Sequence, residues 1–350
     1  MATRYIHKVD NLSLSAGGAR NLANAAGFIY NKADDRTYAN GDGTWRPLAT
    51  DRSIGVSYFI DPQNGDNTNS GLSWGEAFAS MSALDSILDH GDTIYLSGYL
   101  RENWVTPYVH DVTIIGAANT PRQATSGGTY TGGGAYWQSP ASVTNTAALI
   151  KVMGQSWWIE NIFFNNAATT APCIMFFRDG ETPEADASHS GIYGCKLTGE
   201  GDGVQGSGGP ENITIQGCQF RNFDSSGDTA IKAVTGAGVG SFVFWKILDN
   251  EFVNNVNHIS CGAGGALNSA WIIGNRFGWK QDGAVTTTLQ VDLGTVAVNN
   301  VIMNNFFQLA HNETNTALMF LPQNTDNTWL NFYRSSATAA NGYVALVPAT

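Results

Sequence analysis

The sequence predicts an all-β chain wound as a right-handed parallel β-helix, and three observations carry that expectation. The first is composition: only 13% of the 350 residues are charged, 40 are glycine and 43% are hydrophobic. That is the profile of a folded, turn-rich chain of short strands rather than of helices or disorder. The second is a repeat. The segments beginning at Ile159, Ile192, Ile215, Ile247, Ile272 and Ile302 share one template, Ile-x-(Asn/Gly/Asp)-(Asn/Cys/Ile)-x-(Phe/Leu). The third is its spacing. Successive first isoleucines lie 23 to 33 residues apart, so a fixed strand-turn-strand corner recurs while the rest of each coil varies in length, as in a solenoid.

Each template position has a physical role. Ile points inward from one strand, the Asn or Gly pair bends the chain through left-handed backbone angles, and Phe or Leu points inward from the next strand. Stacked coils place Ile on Ile and Phe on Phe at the spacing of neighbouring strands, ~4.8 Å. Asn250, Asn275 and Asn305 share one position, where stacked amides form an inward hydrogen-bonded ladder. Cys195 and Cys218 take the same place in two earlier coils. The four cysteines, with Cys173 and Cys261, never form C-x-x-C, so buried free thiols are expected rather than a disulfide framework or a zinc site.

In chain order, residues 1–55 stand apart as a small set of strands around Phe28-Ile29-Tyr30, Arg36-Thr37-Tyr38 and Thr44-Trp45-Arg46, joined by Asn, Asp and Gly turns. The β-helix is expected over 56–320. Ser73 and Glu76 have capping-box spacing, and Phe78, Met81, Leu84 and Leu88 follow at helical intervals, so an amphipathic helix near 73–90 is expected to cap the solenoid's open end. The first coil strands are placed at Thr93-Ile94-Tyr95-Leu96 and Thr113-Ile114-Ile115-Gly116, Thr120 to Thr146 is read as a long excursion, and 321–350 as strands covering the far end.

The formal net charge is −11 and no Lys/Arg-rich run occurs, which excludes the usual electrostatic footprint for nucleic acid. No 18-residue apolar run suggests a membrane span, and Met1-Ala2-Thr3-Arg4 does not open a signal peptide. Synthesis in a cytoplasm is the expectation. No cofactor and no metal are implied. Asp61, Asn64, Asp66 and Asn69 offer oxygen ligands but depart from EF-hand spacing, and a turn accounts for them.

Candidate chemistry rests on acidic loops. Asp179, Glu181, Glu184 and Asp186 with His189, then Glu200 and Asp202, then Asp224 and Asp228 fall between coils. If these loops gather on one side, two carboxylates ~5 to 10 Å apart suffice for glycoside hydrolysis, and Asp179, Glu181, Asp202 and Asp228 are the candidates. Trp137, Trp157, Trp158, Trp271 and Trp279 are candidates for sugar stacking, with core burial as the competing account.

Two stretches resemble known families. Tyr58-Phe59-Ile60-Asp61-Pro62, Asn64-Gly65-Asp66, Gly71-Leu72-Ser73-Trp74, Ala77-Phe78-Ala79 and Gly91-Asp92-Thr93-Ile94 resemble the opening of pectin-lyase-like β-helix proteins. Phe28-Ile29-Tyr30-Asn31, Tyr38-Ala39-Asn40-Gly41 and Thr44-Trp45-Arg46-Pro47-Leu48 are similar to hairpin segments of bacteriophage tail and head-decoration proteins. The resemblances imply a virion protein made in a bacterial host's cytoplasm: a capsid decoration, head spike or short tail spike. It attaches to other virion proteins through the segment carrying Phe28, Tyr30, Tyr38 and Trp45, forms a homotrimer, and has host glycan as a possible ligand. The enzymes of this superfamily imply the alternative, a polysaccharide depolymerase. Against it, Gly-His-Gly and Arg-Ile-Lys are missing, and the only adjacent Asp pair, Asp34-Asp35, lies outside the coils. The expectation leans to a protein without catalysis.

Overall fold

A computed structural model describes residues 55–117, 134–140, 147–167, 171–179, 185–225, 227–235, 242–262, 265–278, 291–294 and 297–308. It also describes strands at 6–9, 27–31, 36–40, 45–47, 327–329, 331–334 and 341–344. The chain divides into two compact units, residues 1–56 with 90–92, and the remainder. In the first, Gly27–Asn31, Arg36–Asn40 and Trp45–Pro47 form an antiparallel meander, as the sequence implies, and Ile6–Val9 adds a parallel strand that it does not announce. The side chains of Phe28, Tyr30, Tyr38 and Trp45 lie outside the described residues.

The second unit is a right-handed parallel β-helix. Its coils visit three sheets in turn. Sheet one has ten strands, from Ser57–Ile60 through Trp158–Glu160, Lys246–Leu248 and Trp271–Ile273 to Asn327–Trp329. Sheet two also has ten, from Gly98–Arg101 through Lys196–Gly199 and Gln219–Arg221 to Asn341–Val344, and sheet three has seven, from Trp104–Val105 to Val291–Asp292. Every pairing within them is parallel except the last of sheet two, where Asn341–Val344 runs antiparallel to Asn331–Arg334.

The register is the one the template demands. Ile159, Ile192, Ile215, Ile247, Ile272 and Ile302 pair in succession along sheet one, each at most 1% exposed. In sheet two Phe220, Phe252, Phe277 and Phe307 stack with centroids 5.0, 4.8 and 4.8 Å apart. Between these columns runs the amide ladder. Asn250 Nδ2 donates to Asn275 Oδ1 at 3.0 Å, Asn275 Nδ2 to Asn305 Oδ1 at 3.0 Å, and Asn305 Nδ2 to Asn331 Oδ1 at 3.1 Å. Asn250 Oδ1 ends the row by accepting from the Cys218 N–H at 2.9 Å. All four cysteines are buried and free, and burial pushes the Cys173 and Cys261 thiols up to about 12.

Four expectations are corrected. The helix near 73–90 does not form; Trp74–Glu76 and Met81–Leu84 are single 3-10 turns separated by extended backbone at Ala77. Strand pairing overrides helical spacing here: the Phe78 N–H donates to Phe59 O and Phe78 O accepts from the Asp61 N–H, both at 2.9 Å. Ser73 makes no cap, and Glu76 takes the Ser70 hydroxyl instead. Phe78, Met81, Leu84 and Leu88 are nonetheless buried. Next, the first rung is Ser57–Ile60, before the expected Thr93 strand. Ala135–Gln138, inside the expected excursion, is a strand of sheet two because Trp137 packs beneath Phe164 at 5.7 Å. Finally, the stack passes residue 320, since Asn327–Trp329 and Asn331–Arg334 add a parallel rung and Asn331 extends the ladder.

His258 is a titratable side chain buried inside the tube. It is 1% exposed, within 5.6 Å of the Phe252 ring and 5.5 Å of the Phe277 ring, and burial pushes its imidazole down to about 4. The fold holds it neutral, whereas the unfolded chain takes up a proton near 6.5. The contribution of His258 to stability is therefore complete above pH ~6.5 and is lost as pH falls toward 4. We expect His258→Leu to lose less stability than the wild type between pH 6.5 and 4, as read from the midpoints of thermal unfolding of the two proteins across that window. For the ladder, Asn275→Ala leaves the Asn250 N–H and Nδ2 and the Asn305 amide short of partners. It is expected to cost ~3 kcal/mol or more in urea denaturation, since each stranded buried polar group costs ~1–3 kcal/mol.

Candidate functional site

A corner of each coil sets up the outer surface. Two residues before successive sheet-one strands stands a non-glycine residue with positive φ: Asp111, Ser156, His189, Asn212, Phe244, Ser269 and Asn299. Short polar side chains tolerate this left-handed conformation by local hydrogen bonding, and a bulky aromatic does so poorly. Phe244 breaks the pattern. It sits at φ 61°, and its side chain is 56% exposed.

Both features oppose stability. The left-handed backbone costs ~1–3 kcal/mol, and the exposed ring gives up the ~1.5–3 kcal/mol that burial would contribute. The backbone at this corner is nevertheless firmly held. The Phe244 N–H donates to Asn268 O at 3.0 Å, and the next residue, Trp245, is fully buried, donates to Pro210 O at 2.9 Å and meets Phe242 edge-on at 5.7 Å.

Trp271, at 51% exposure, is the register partner of Lys246 on the outer face of sheet one. Together Phe244, Trp271 and Lys246 line an open groove of about 460 Å³ whose other walls are His189, Glu211, Asn212, Ser269 and Asn299. Glu211 is the sole carboxylate in that lining, and Arg178 holds it at 2.7 Å. Asn212 Nδ2 and His189 Nδ1 lie 2.9 Å apart. The groove thus has two apolar platforms within a rim of donors and acceptors. A sugar ring matches that arrangement, with its C–H face on an aromatic plane and its hydroxyls directed to the rim.

The expected site residues fare differently. Of the tryptophans, Trp137 and Trp157 are fully buried and pinned through Nε1 to Glu102 O at 2.8 Å and Val109 O at 2.7 Å. Trp158 is partly exposed, Trp271 lines the groove, and Trp279 lies outside the described residues.

The acidic loops do not gather on one side. Asp179 and Asp186 follow a sheet-three strand, whereas Asp202 and Asp228 follow sheet-two strands, so two different corners carry them. Glu181 and Glu184 lie outside the described residues. Asp202 and Asp228 do come together, but each is only 4% exposed. Asp202 accepts from the Thr229 N–H at 3.0 Å and pairs with Lys232 at 3.0 Å, and burial pushes its carboxyl above the ordinary carboxylate range against that pull. Burial lifts Asp228 to about 6, opposed by the N–H groups of Gly201 and Ser225 and aided by Asp202 and Asp224. Asp228 pins its own turn through the Ser225 N–H, and Asp202 ties its coil to the next.

Asp61 and Asp66 likewise accept from nearby residues of their own loop, Asn64 and Thr68 among them, as a turn requires. One Asn-Thr-Asp tripeptide, at 324–326, lies outside the described residues and has no Gly-His-Gly or Arg-Ile-Lys companion in the chain. The aromatic corner was missed because it does not repeat. Its signal was a Phe at 244, where the coils on either side place Asn212 and Ser269.

No protein-family profile and no curated protein matches the chain. Among solved structures it is similar to a GH136 lacto-N-biosidase from Eubacterium ramulus, with a TM-score of 0.45 and 12% identity over 73% of this chain and 56% of that one. The chain therefore spans little more than half the length of that enzyme. It is also similar to ORF18 of Geobacillus virus E2, with a TM-score of 0.35 and 12% identity over 97% and 77% of the two chains. A third likeness is to the tailspike protein gp49 of the Acinetobacter baumannii bacteriophage Fri1, a capsular polysaccharide depolymerase, with a TM-score of 0.32 and 9% identity over 87% and 70%.

If Phe244 is kept for its exposed ring, Phe244→Asn should raise stability by ~1 kcal/mol, because Asn accepts the left-handed backbone and removes apolar surface. Chemical denaturation of the two proteins checks this.

Proposed function

We propose that this chain is a surface protein of a bacteriophage virion whose β-helix binds host surface glycan in the groove of Phe244 and Trp271. One observation carries the glycan reading: a bulky aromatic held in left-handed backbone and in water, beside a second exposed aromatic and a polar rim. Exposure of that kind opposes folding and is accounted for by a ligand that covers it. The virion assignment is supported by the resemblance of the N-terminal hairpin to phage tail and head-decoration segments, carried by a unit separate from the solenoid. In this reading residues 1–55 attach to other virion proteins.

Binding rather than cleavage is the role assigned to the groove. Glycoside hydrolysis by paired carboxylates needs two of them, and the described lining offers only Glu211, already held by Arg178. A homotrimer belongs to the same proposal. Leu248, Ile273 and Met303, register neighbours on the outer face of sheet one, make an apolar column that a second copy would cover. Light scattering of the purified chain should return three times the monomer mass of 37.4 kDa.

The deciding experiment is titration of the full chain with a panel of bacterial capsular polysaccharides and O-antigens, followed by tryptophan fluorescence. At least one should bind and quench Trp271, with affinity at least ~10-fold weaker in Trp271→Ala and in Phe244→Asn, about 1.4 kcal/mol. A glycan bound equally by wild type and both variants would remove the groove from the account. New reducing ends or unsaturated products would shift the function to depolymerisation.

A further inference from the structure

A second cleft, on a different sheet, has the opposite chemistry. It opens on the outer face of sheet two, has a volume of about 200 Å³, and is lined by Phe163, Lys196, Thr198, Arg221, Asn222, Val253 and Asn254. Its two charged side chains are both cations, in a chain whose net charge is −11. Glu251, on the next rung but outside the lining, accepts from Gln219 Nε2 at 2.5 Å and faces Arg276 at 3.8 Å.

Three features show that this is not an ordinary solvated pair. Arg221 Nε is buried and lacks an acceptor, the only side-chain nitrogen or oxygen among the described residues in that state. Buried donors are nearly always satisfied, and stranding one costs ~1–3 kcal/mol. Lys196 Nζ rests over the Phe163 ring at 4.9 Å, a position that fixes the ammonium without neutralising it. Burial and the nearby Arg221 both disfavour the charge on Lys196. Left-handed Asn222 and Asn254, joined by a hydrogen bond of 2.9 Å, frame the mouth.

We propose that this cleft is an oxyanion site, in which Lys196 and Arg221 hold the carboxylate, sulfate or phosphate group of a ligand. The Arg221 guanidinium carries a planar fork of N–H donors that matches two oxygens of such a group, and a neighbouring ammonium supplies the second charge. The volume is below the ~300–1,000 Å³ of sites for drug-sized ligands. It suits one acidic group, or the single sugar that bears it, rather than an extended chain. The site is independent of the aromatic groove and stands or falls without it.

The test uses the full chain at constant ionic strength. Thermal unfolding and calorimetric titration are followed with sodium sulfate, sodium phosphate and sodium glucuronate against sodium chloride. At least one oxyanion should stabilise the protein saturably in the millimolar range where chloride does not. Arg221→Gln should abolish the effect, Lys196→Gln should weaken binding at least ~10-fold, and Arg221→Lys, which keeps the charge and loses the fork, should fall between.

Preference for glucuronate identifies a sugar carboxylate as the ligand; preference for sulfate or phosphate identifies an ester or a free anion. A response that never saturates, that equals the chloride response, or that survives Arg221→Gln overturns the proposal. Far-UV circular dichroism of each variant keeps a folding defect from being read as lost binding.

Discussion

Parallel strands hydrogen-bonded coil to coil lie about 4.8 Å apart, and that spacing governs everything inside the tube. Whatever points inward from one coil meets its counterpart from the next at a distance the backbone has already set. For phenylalanine this is near the separation at which rings stack, and Phe220, Phe252, Phe277 and Phe307 lie close to parallel, with interplanar angles of 8°, 17° and 17°. For asparagine it is the reach of an amide, which donates and accepts at once and so continues through any number of coils. A lone buried Asn would be a liability; four in register satisfy one another. The row ends at Cys218, whose backbone N–H meets the last acceptor and whose small thiol fills the slot.

Outside the tube the constraint lapses. Outward side chains share the same spacing but pack against water, so neighbouring coils need not agree in residue type. What the coils do share outside is backbone: a left-handed residue at the corner before sheet one, and another at the corner after sheet two in some coils. These corners fix where side chains leave the surface without fixing which ones leave. Phe244 occupies such a place, and Asn222 and Asn254 flank the cationic cleft from theirs. Stability alone would favour Asn, Asp or Gly at all of them, so a departure as large as Phe244 needs a cause outside folding.

The same division explains how much the sequence revealed. The Ile column, the Phe column and the ladder at Asn250, Asn275 and Asn305 were readable because stacking forces repetition, and repetition survives in a linear sequence. Asn331 escaped notice because its coil has Asn327-Thr328-Trp329 where the template expects Ile in the middle. The segment around Phe78 misled because apolar spacing at 78, 81, 84 and 88 is helical in form, while the pairing that decides it lies with residues 59 and 61. The acidic loops were grouped by their order along the chain, but loops after sheet two and sheet three reach different corners. The groove and the cationic cleft were unreadable for the complementary reason: each draws one or two residues from several coils at positions where nothing has to repeat.

An anion meets this molecule against a formal charge of −11. At physiological ionic strength that opposition is screened beyond ~8 Å, so it bears on encounter more than on contact. Long-range attraction therefore does little to gather acidic ligands, and any discrimination has to arise within the site. Lys196 and Arg221 meet that requirement in the way they are held. One ammonium is seated on the Phe163 ring and one guanidinium is partly withdrawn from water with a donor unspent. Two cations that line one cleft with no carboxylate in the described lining disfavour each other's charge, and a ligand that brings negative charge to both relieves that repulsion.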